Sequence, residues 1–204
     1  KITNCTFMNN VALGGGSGAS FFSAALVQDC TFIANQVPHR SAGGAALVGR
    51  INGLGPTFIN CSFVNNSAAG SGAGLLLFAE SVVTHCTFQG NTVRGGGALF
   101  GGGGLLAEHL PGNGTKITNC TFMNNVALGG GSGASFFSAA LVQDCTFIAN
   151  QVPDGAFGGA ALVGHTNGLG PTFINCTFVN NSAAGTGAGL LVFAKSIVTN
   201  CTFQ

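Results

Sequence analysis

Ile2-Thr3-Asn4-Cys5-Thr6-Phe7-Met8-Asn9-Asn10 opens a pattern that the chain repeats to its last residue. Its centre, Cys-Thr/Ser-Phe preceded by Asn, Asp or His, occurs eight times, at Cys5, Cys30, Cys61, Cys86, Cys120, Cys145, Cys176 and Cys201. Successive cysteines stand 25, 31, 25, 34, 25, 31 and 25 residues apart, under a larger period of 115. Lys116 restarts what Lys1 began, and residues 116–204 differ from residues 1–89 at 12 of 89 positions. A short unit repeated this often marks a stacked solenoid, in which no unit buries its apolar face alone. The chain reads as one domain, 1–204, of about seven stacked rungs, divided into tandem blocks 1–115 and 116–204, the second incomplete. It begins and stops inside a unit, as an excerpt from a longer array would.

Aligned on cysteine, the columns assign a direction to each side chain. Three residues before it stands Ile2, Val27, Phe58, Val83, Ile117, Val142, Phe173 or Val198, and two after it always Phe. Residues three apart on a straight strand face opposite sides, so an apolar residue and a cysteine at that spacing both point inward only across a bend. The residue between them is Asn4, Asp29, Asn60, His85, Asn119, Asp144, Asn175 or Asn200, the types that best tolerate the left-handed conformation. Three residues past Phe comes a second constant column, Asn10, Asn35, Asn66, Asn91, Asn125, Asn150 and Asn181. Stacked amides can bond along the axis while satisfying turn backbone, which makes this column a structural ladder and a second corner. Small Ala12, Val37, Ala68 and Val93 follow. A Gly-rich stretch then leads to a third apolar segment, Gly18–Phe22, Gly44–Val48, Ala73–Leu77 and Gly97–Phe100.

Three short strands and three turns per unit describe an all-β fold, a parallel β-helix in which like residues stack about 4.8 Å apart. A helical solenoid would need runs of roughly 10 to 15 residues with a 3.6 period, which the glycines and β-branched residues interrupt. Four rungs per block give a rise of about 19 Å per block and about 35 Å for the chain. Counted to these segments, the insertions fall on one side of the solenoid, the longest being 101–115.

The Gly-Ala-apolar segments Gly44-Ala45 and Gly97-Ala98, alternating with Phe32 to Asn35 and Phe88 to Asn91, resemble the repeats of polymorphic outer-membrane proteins and related right-handed parallel β-helix surface proteins. The resemblance covers the whole chain. It implies an extracellular or cell-surface protein with adhesive or structural duty.

Composition narrows the function classes. Charged residues are 5% of the chain and the net charge is +1, so nothing here attracts nucleic acid or an anionic membrane. The longest unbroken apolar runs, such as Leu75–Ala79, are far too short to span a bilayer. A polysaccharide-degrading enzyme on this architecture would need clustered carboxylates or a basic residue. Asp29, Glu80, Glu108, Asp144 and Asp154 form no repeated outward cluster, and His39, His85, His109 and His165 are scattered. The chain is therefore expected to have no catalytic residues, metal or cofactor. The cysteines lack zinc-site spacing and sit beside Phe on an inward face, where thiols pack as small hydrophobes; the alternative is disulfides between neighbouring rungs in an oxidising compartment, although directly stacked positions are somewhat too far apart for relaxed bridges. Gly14–Gly16 and Gly101–Gly104 precede no Lys-Ser/Thr, so they are turn glycines rather than phosphate loops. The outward Thr column, from Thr6 to Thr202, lacks the second Thr rank that a flat ice-binding face requires.

Asn-x-Ser/Thr sequons fall at Asn4, Asn60, Asn65, Asn113, Asn119, Asn175, Asn180 and Asn200. N-linked glycans there would keep so uncharged a surface from nonspecific association. Neither end of the sequence carries a polar cap, so the solenoid is expected to continue covalently or to stack on itself. The function expected is a structural segment of a glycosylated extracellular fibre, with itself and a carbohydrate coat as partners. The alternative is an adhesin passenger domain, and third a polysaccharide-degrading enzyme.

Overall fold

The computed structural model describes residues 1–39, 41–49, 54–95, 101–108, 114–153, 157–164 and 169–204. Among them there is no helix, and the strands form four parallel sheets running the length of one coil. Sheet 1 has eight strands, Ile2–Thr3, Leu26–Gln28, Thr57–Ile59, Val82–Thr84, Thr115–Thr118, Ala140–Gln143, Leu169–Ile174 and Lys195–Thr199. Sheet 2 has eight, from Thr6–Met8 to Thr202–Phe203, and sheet 4 has seven, from Ala19–Phe21 to Leu190–Val192. These are the three strands expected per rung. A fourth sheet joins them: sheet 3, of six two-residue strands from Gln36–Val37 to Ser182–Ala183.

Successive turns pair in register, with one irregularity between Leu169 and Thr172 where that strand meets Lys195–Thr199, so like residues meet like. Phe7, Phe32, Phe63, Phe88, Phe122, Phe147, Phe178 and Phe203 form one column with ring centroids 4.7 to 4.9 Å apart and planes within 6°. That spacing is imposed by the backbone, since it equals the distance between hydrogen-bonded strands. Burying each ring contributes about 1.5 to 3 kcal/mol, and the column repeats the gain at every turn. Val27, Phe58, Val83, Ile117, Val142 and Phe173 line the same core from sheet 1, with Cys30, Cys61, Cys86, Cys120, Cys145 and Cys176 beside them.

The bend between sheets 1 and 2 is a single left-handed residue in all eight turns, with φ from 52° to 54° at Asn4, Asp29, Asn60, His85, Asn119, Asp144, Asn175 and Asn200. The second bend differs from its expected place by one residue. Its left-handed position is Asn9, Ala34, Asn65, Gly90, Asn124, Ala149 or Asn180, and the constant Asn column follows it on the inside. The reason is hydrogen bonding: an asparagine just past the bend can face inward and hold the backbone on both neighbouring turns.

The fourth turn also departs from expectation. Its strand in sheet 4 is Leu105–Ala107, paired with Leu75–Leu77 and Ala134–Phe136, whereas Gly97–Phe100 lies outside the described residues. This register places Leu105 and Leu106 at 0% exposure. Gly104 fits it too, because a Cβ there would stand 2.5 Å from the Gly133 carbonyl oxygen. The segment 101–115 is therefore not one insertion, and extra length falls on both sides of sheet 4. Ala46 to Phe58 is four residues longer than Ala19 to Val27, and Phe32 to Ala46 is two longer than Phe7 to Ala19.

Candidate functional site

The asparagine column is a continuous ladder. Asn66 Nδ2 donates to Asn91 Oδ1 at 2.9 Å and to the Phe32 carbonyl at 3.0 Å. Its Oδ1 accepts from the Asn35 backbone N–H at 2.9 Å and from Asn35 Nδ2 at 3.0 Å. The same side-chain link joins Asn10 to Asn35, Asn91 to Asn125, Asn125 to Asn150 and Asn150 to Asn181. Asn35, Asn66, Asn91, Asn125 and Asn150 are fully buried, so each amide has its donors and acceptor filled where water cannot reach. The ladder walls off a small second core of Val37, Ala68, Ala73, Val93 and Ala127 from the main one.

The cysteines serve the first bend. Each thiol donates to the carbonyl two residues earlier, at 3.2 to 3.4 Å, from Cys5 through Cys201. In the inner turns each also reaches a sheet 1 carbonyl of the preceding turn, as Cys61 does to Val27 at 3.5 Å. All eight are free; Cys5 is exposed and Cys201 half-buried. Hydrogen bonding to the neighbouring cysteine, together with burial, pushes the Cys61, Cys120 and Cys176 thiols well above the ordinary range. Cys86 and Cys145 go the other way, to about 4, because hydrogen bonds from Cys120 and Cys61 and from Cys120 and Cys176 favour their thiolates, so it is burial that closes the interior column to reagents.

The sequon asparagines lie on the outside of the bends. Asn4, Asn60, Asn119, Asn175 and Asn200 on the first bend, and Asn65 and Asn180 on the second, are exposed. Asn113 lies outside the described residues. On the first bend the sequons alternate with Asp29, His85 and Asp144 up to Asn175. Asn60 Nδ2 donates to Asp29 Oδ1 at 2.7 Å and Asn175 Nδ2 to Asp144 Oδ1 at 3.1 Å, which holds two sequon amides toward a neighbour.

The remaining polar residues are not brought together. His85 sits at the first bend, with Nδ1 3.0 Å from Thr84 Oγ1, while His39 lies between sheets 3 and 4. His109, His165 and Asp154 fall outside the described residues. Among the described residues no three His, Cys, Asp or Glu side chains are placed to hold a metal ion. Asp29 and Asp144 serve the bend, whereas Glu80 and Glu108 lie where sheet 4 passes to sheet 1.

Sequence reasoning missed a cleft at that last edge. Ala24, Ala25, Leu26, Leu54, Gly55, Thr57, Glu80, Val82 and Gly114, from four successive turns, enclose about 440 Å³. Leu54 is 71% exposed at its rim. Gly114 leaves the space that the Glu80 carboxylate fills, since a Cβ there would come within van der Waals contact of Oε2. The second block repeats the cleft at Ala139, Ala140, Leu141, Leu169, Gly170 and Thr172, with about 210 Å³, and there Lys195 stands where Glu80 stood. That substitution was legible in the alignment of the blocks; its place beside a cleft was not.

Comparison with known proteins agrees with the coil. Over 100 residues the chain is 35% identical to the metabotropic glutamate receptor-like protein R of Dictyostelium discoideum, a stretch that is 48% of this chain and 6% of that protein. The family described as right-handed beta helix region matches residues 1–204 throughout. With four parallel sheets wound into one coil and the match covering every turn, the chain belongs to the right-handed β-helix family.

Proposed function

We propose that this chain is a structural length of a glycosylated extracellular fibre made of tandem β-helical blocks. The observation that carries the reading is the junction between blocks. Val82–Thr84 of the first block pairs in register with Thr115–Thr118, which pairs with Ala140–Gln143 of the second, and the Phe column crosses from Phe88 to Phe122 at the same 4.8 Å. A block is thus a whole number of turns, and any number can follow one another without a fault. Sequons on every second turn of the first bend stand about 9.6 Å apart, which leaves room for sugars that adjacent turns would crowd. Asn175 and Asn200, one turn apart, are expected to carry one glycan between them. The buried free thiols are compatible with an oxidising compartment, because the column shields them from oxidants. The receptor-like name of the Dictyostelium relative supports a surface location.

The test is small-angle scattering on one, two and three tandem blocks, with intact mass before and after deglycosylation. The long dimension should grow by about 19 Å per added block, and mass should fall on deglycosylation. Dimensions that grow as a compact particle would, or an unchanged mass in secreted protein, would overturn the corresponding half of the proposal.

One observation favours the adhesin reading as a second choice. Six of the 12 differences between blocks fall at positions 39–42 and 50–51, on either side of the sheet 4 strand Ala46–Val48. The resemblance to polymorphic outer-membrane repeats points the same way. Variation concentrated in connections suits a ligand-binding rim. A glycan and cell-surface binding screen separates the readings, since an inert fibre binds nothing specifically.

A further inference from the structure

The cleft at the edge between sheets 4 and 1 has an apolar wall and a carboxylate. Leu26, Leu54 and Val82 form the wall, and the half-buried Glu80 closes one side. Such a site suits a primary amine on an apolar stem. The chain presents one on the same edge: Lys195, exposed, at the position of Glu80 one block later. Neither residue forms an ion pair with another described residue. In sheet 1 the strand Ala140–Gln143 lies midway between Val82–Thr84 and Lys195–Thr199. A twofold axis parallel to that strand would set two columns against each other in antiparallel order. Glu80 of each copy then meets Lys195 of the other, Val82 meets Ile197, and Leu141 meets itself.

We propose that this edge is an interface between two copies of the chain, each Lys195 seated in the Glu80 cleft of its partner copy. The contact is isologous, so one surface makes both pairs. It runs beside the column, whereas the proposed fibre grows along it, so either can fail without the other. The exposed, described sequons lie on the two bends flanking sheet 2, away from this edge. Asn113 adjoins Gly114 in sequence, so the test uses unglycosylated protein from a bacterial host.

Sedimentation equilibrium of the 204-residue chain should show dimers that weaken with added salt. Glu80→Lys and Lys195→Glu should each raise the dissociation constant by about tenfold or more. The double exchange should return it to within about threefold of the parent, because attraction is restored with reversed sign. Leu54→Asp should also dissociate the dimer, and circular dichroism should show all four variants folded. A chain that is monomeric throughout, association unchanged in both single variants, or a double exchange no tighter than either single one overturns the proposal. Unchanged association in the single variants would point to end-to-end stacking or another occupant of the cleft.

Discussion

Replacing Asn91 by alanine tests whether the ladder holds the coil or merely lines it. Asn91 is fully buried. Its Oδ1 accepts from the Asn66 backbone N–H at 3.1 Å and from Asn66 Nδ2 at 2.9 Å, and its Nδ2 donates to the Phe63 carbonyl at 2.9 Å and Asn125 Oδ1 at 3.0 Å. Truncation removes all four bonds. Asn66 Nδ2 keeps the Phe32 carbonyl, and Asn125 Oδ1 keeps the Asn91 backbone N–H. The Asn66 backbone N–H is left without its protein partner. One stranded buried donor and three weakened neighbours should cost about 3 to 6 kcal/mol in all. For a chain of this size that lowers the melting temperature by roughly 6 to 24 °C. Asn10→Ala is the control, because Asn10 is exposed and its side chain makes one bond, to Asn35; it should cost about 1 kcal/mol or less. Thermal and urea unfolding followed by circular dichroism gives the comparison, and hydrogen exchange at the Asn66 amide reports local opening, which stacked repeats permit. If Asn91→Ala costs no more than Asn10→Ala, or the Asn66 amide stays as protected as before, the ladder does not carry the load assigned to it.

Other residues give sharper single outcomes. Gly74→Ala puts a Cβ 2.3 Å from the Gly104 carbonyl oxygen and should destabilise by about 3 kcal/mol, whereas Gly14→Ala, with nothing within 4 Å, should be neutral or slightly stabilising in the same melts. Ala34 holds φ at 51° without a side chain suited to it, so Ala34→Asn, the residue other turns use there, should raise stability by about 0.5 to 1 kcal/mol. Phe88→Ala removes a ring stacked 4.8 Å from both Phe63 and Phe122 and should cost about 3 to 5 kcal/mol in urea unfolding. In native protein a thiol-specific reagent should modify Cys5 fast and Cys201 more slowly, and the other six only after denaturation, as peptide mass mapping would show.

The sequence alone determined the coil. In a parallel stack each turn faces the same surroundings as the last, so the selection of Phe at Phe32 or Phe147 and of Asn at Asn66 or Asn150 recurs and shows as columns. The first bend was legible for the same reason, because Asn, Asp and His are the side chains that tolerate its backbone. The second bend was misplaced by one residue because Ala34 and Ala149 carry no such preference and are held left-handed by the turns around them. Only the tertiary structure chose Leu105–Ala107 over Gly97–Phe100, since both have the Gly-rich, apolar character of a sheet 4 strand and the choice rests on which leucines reach the core. It alone brought Leu26, Leu54, Glu80 and Gly114 around one cleft. Those residues lie in four different turns, and no local pattern records which side chains meet when connections of unequal length fold against one edge.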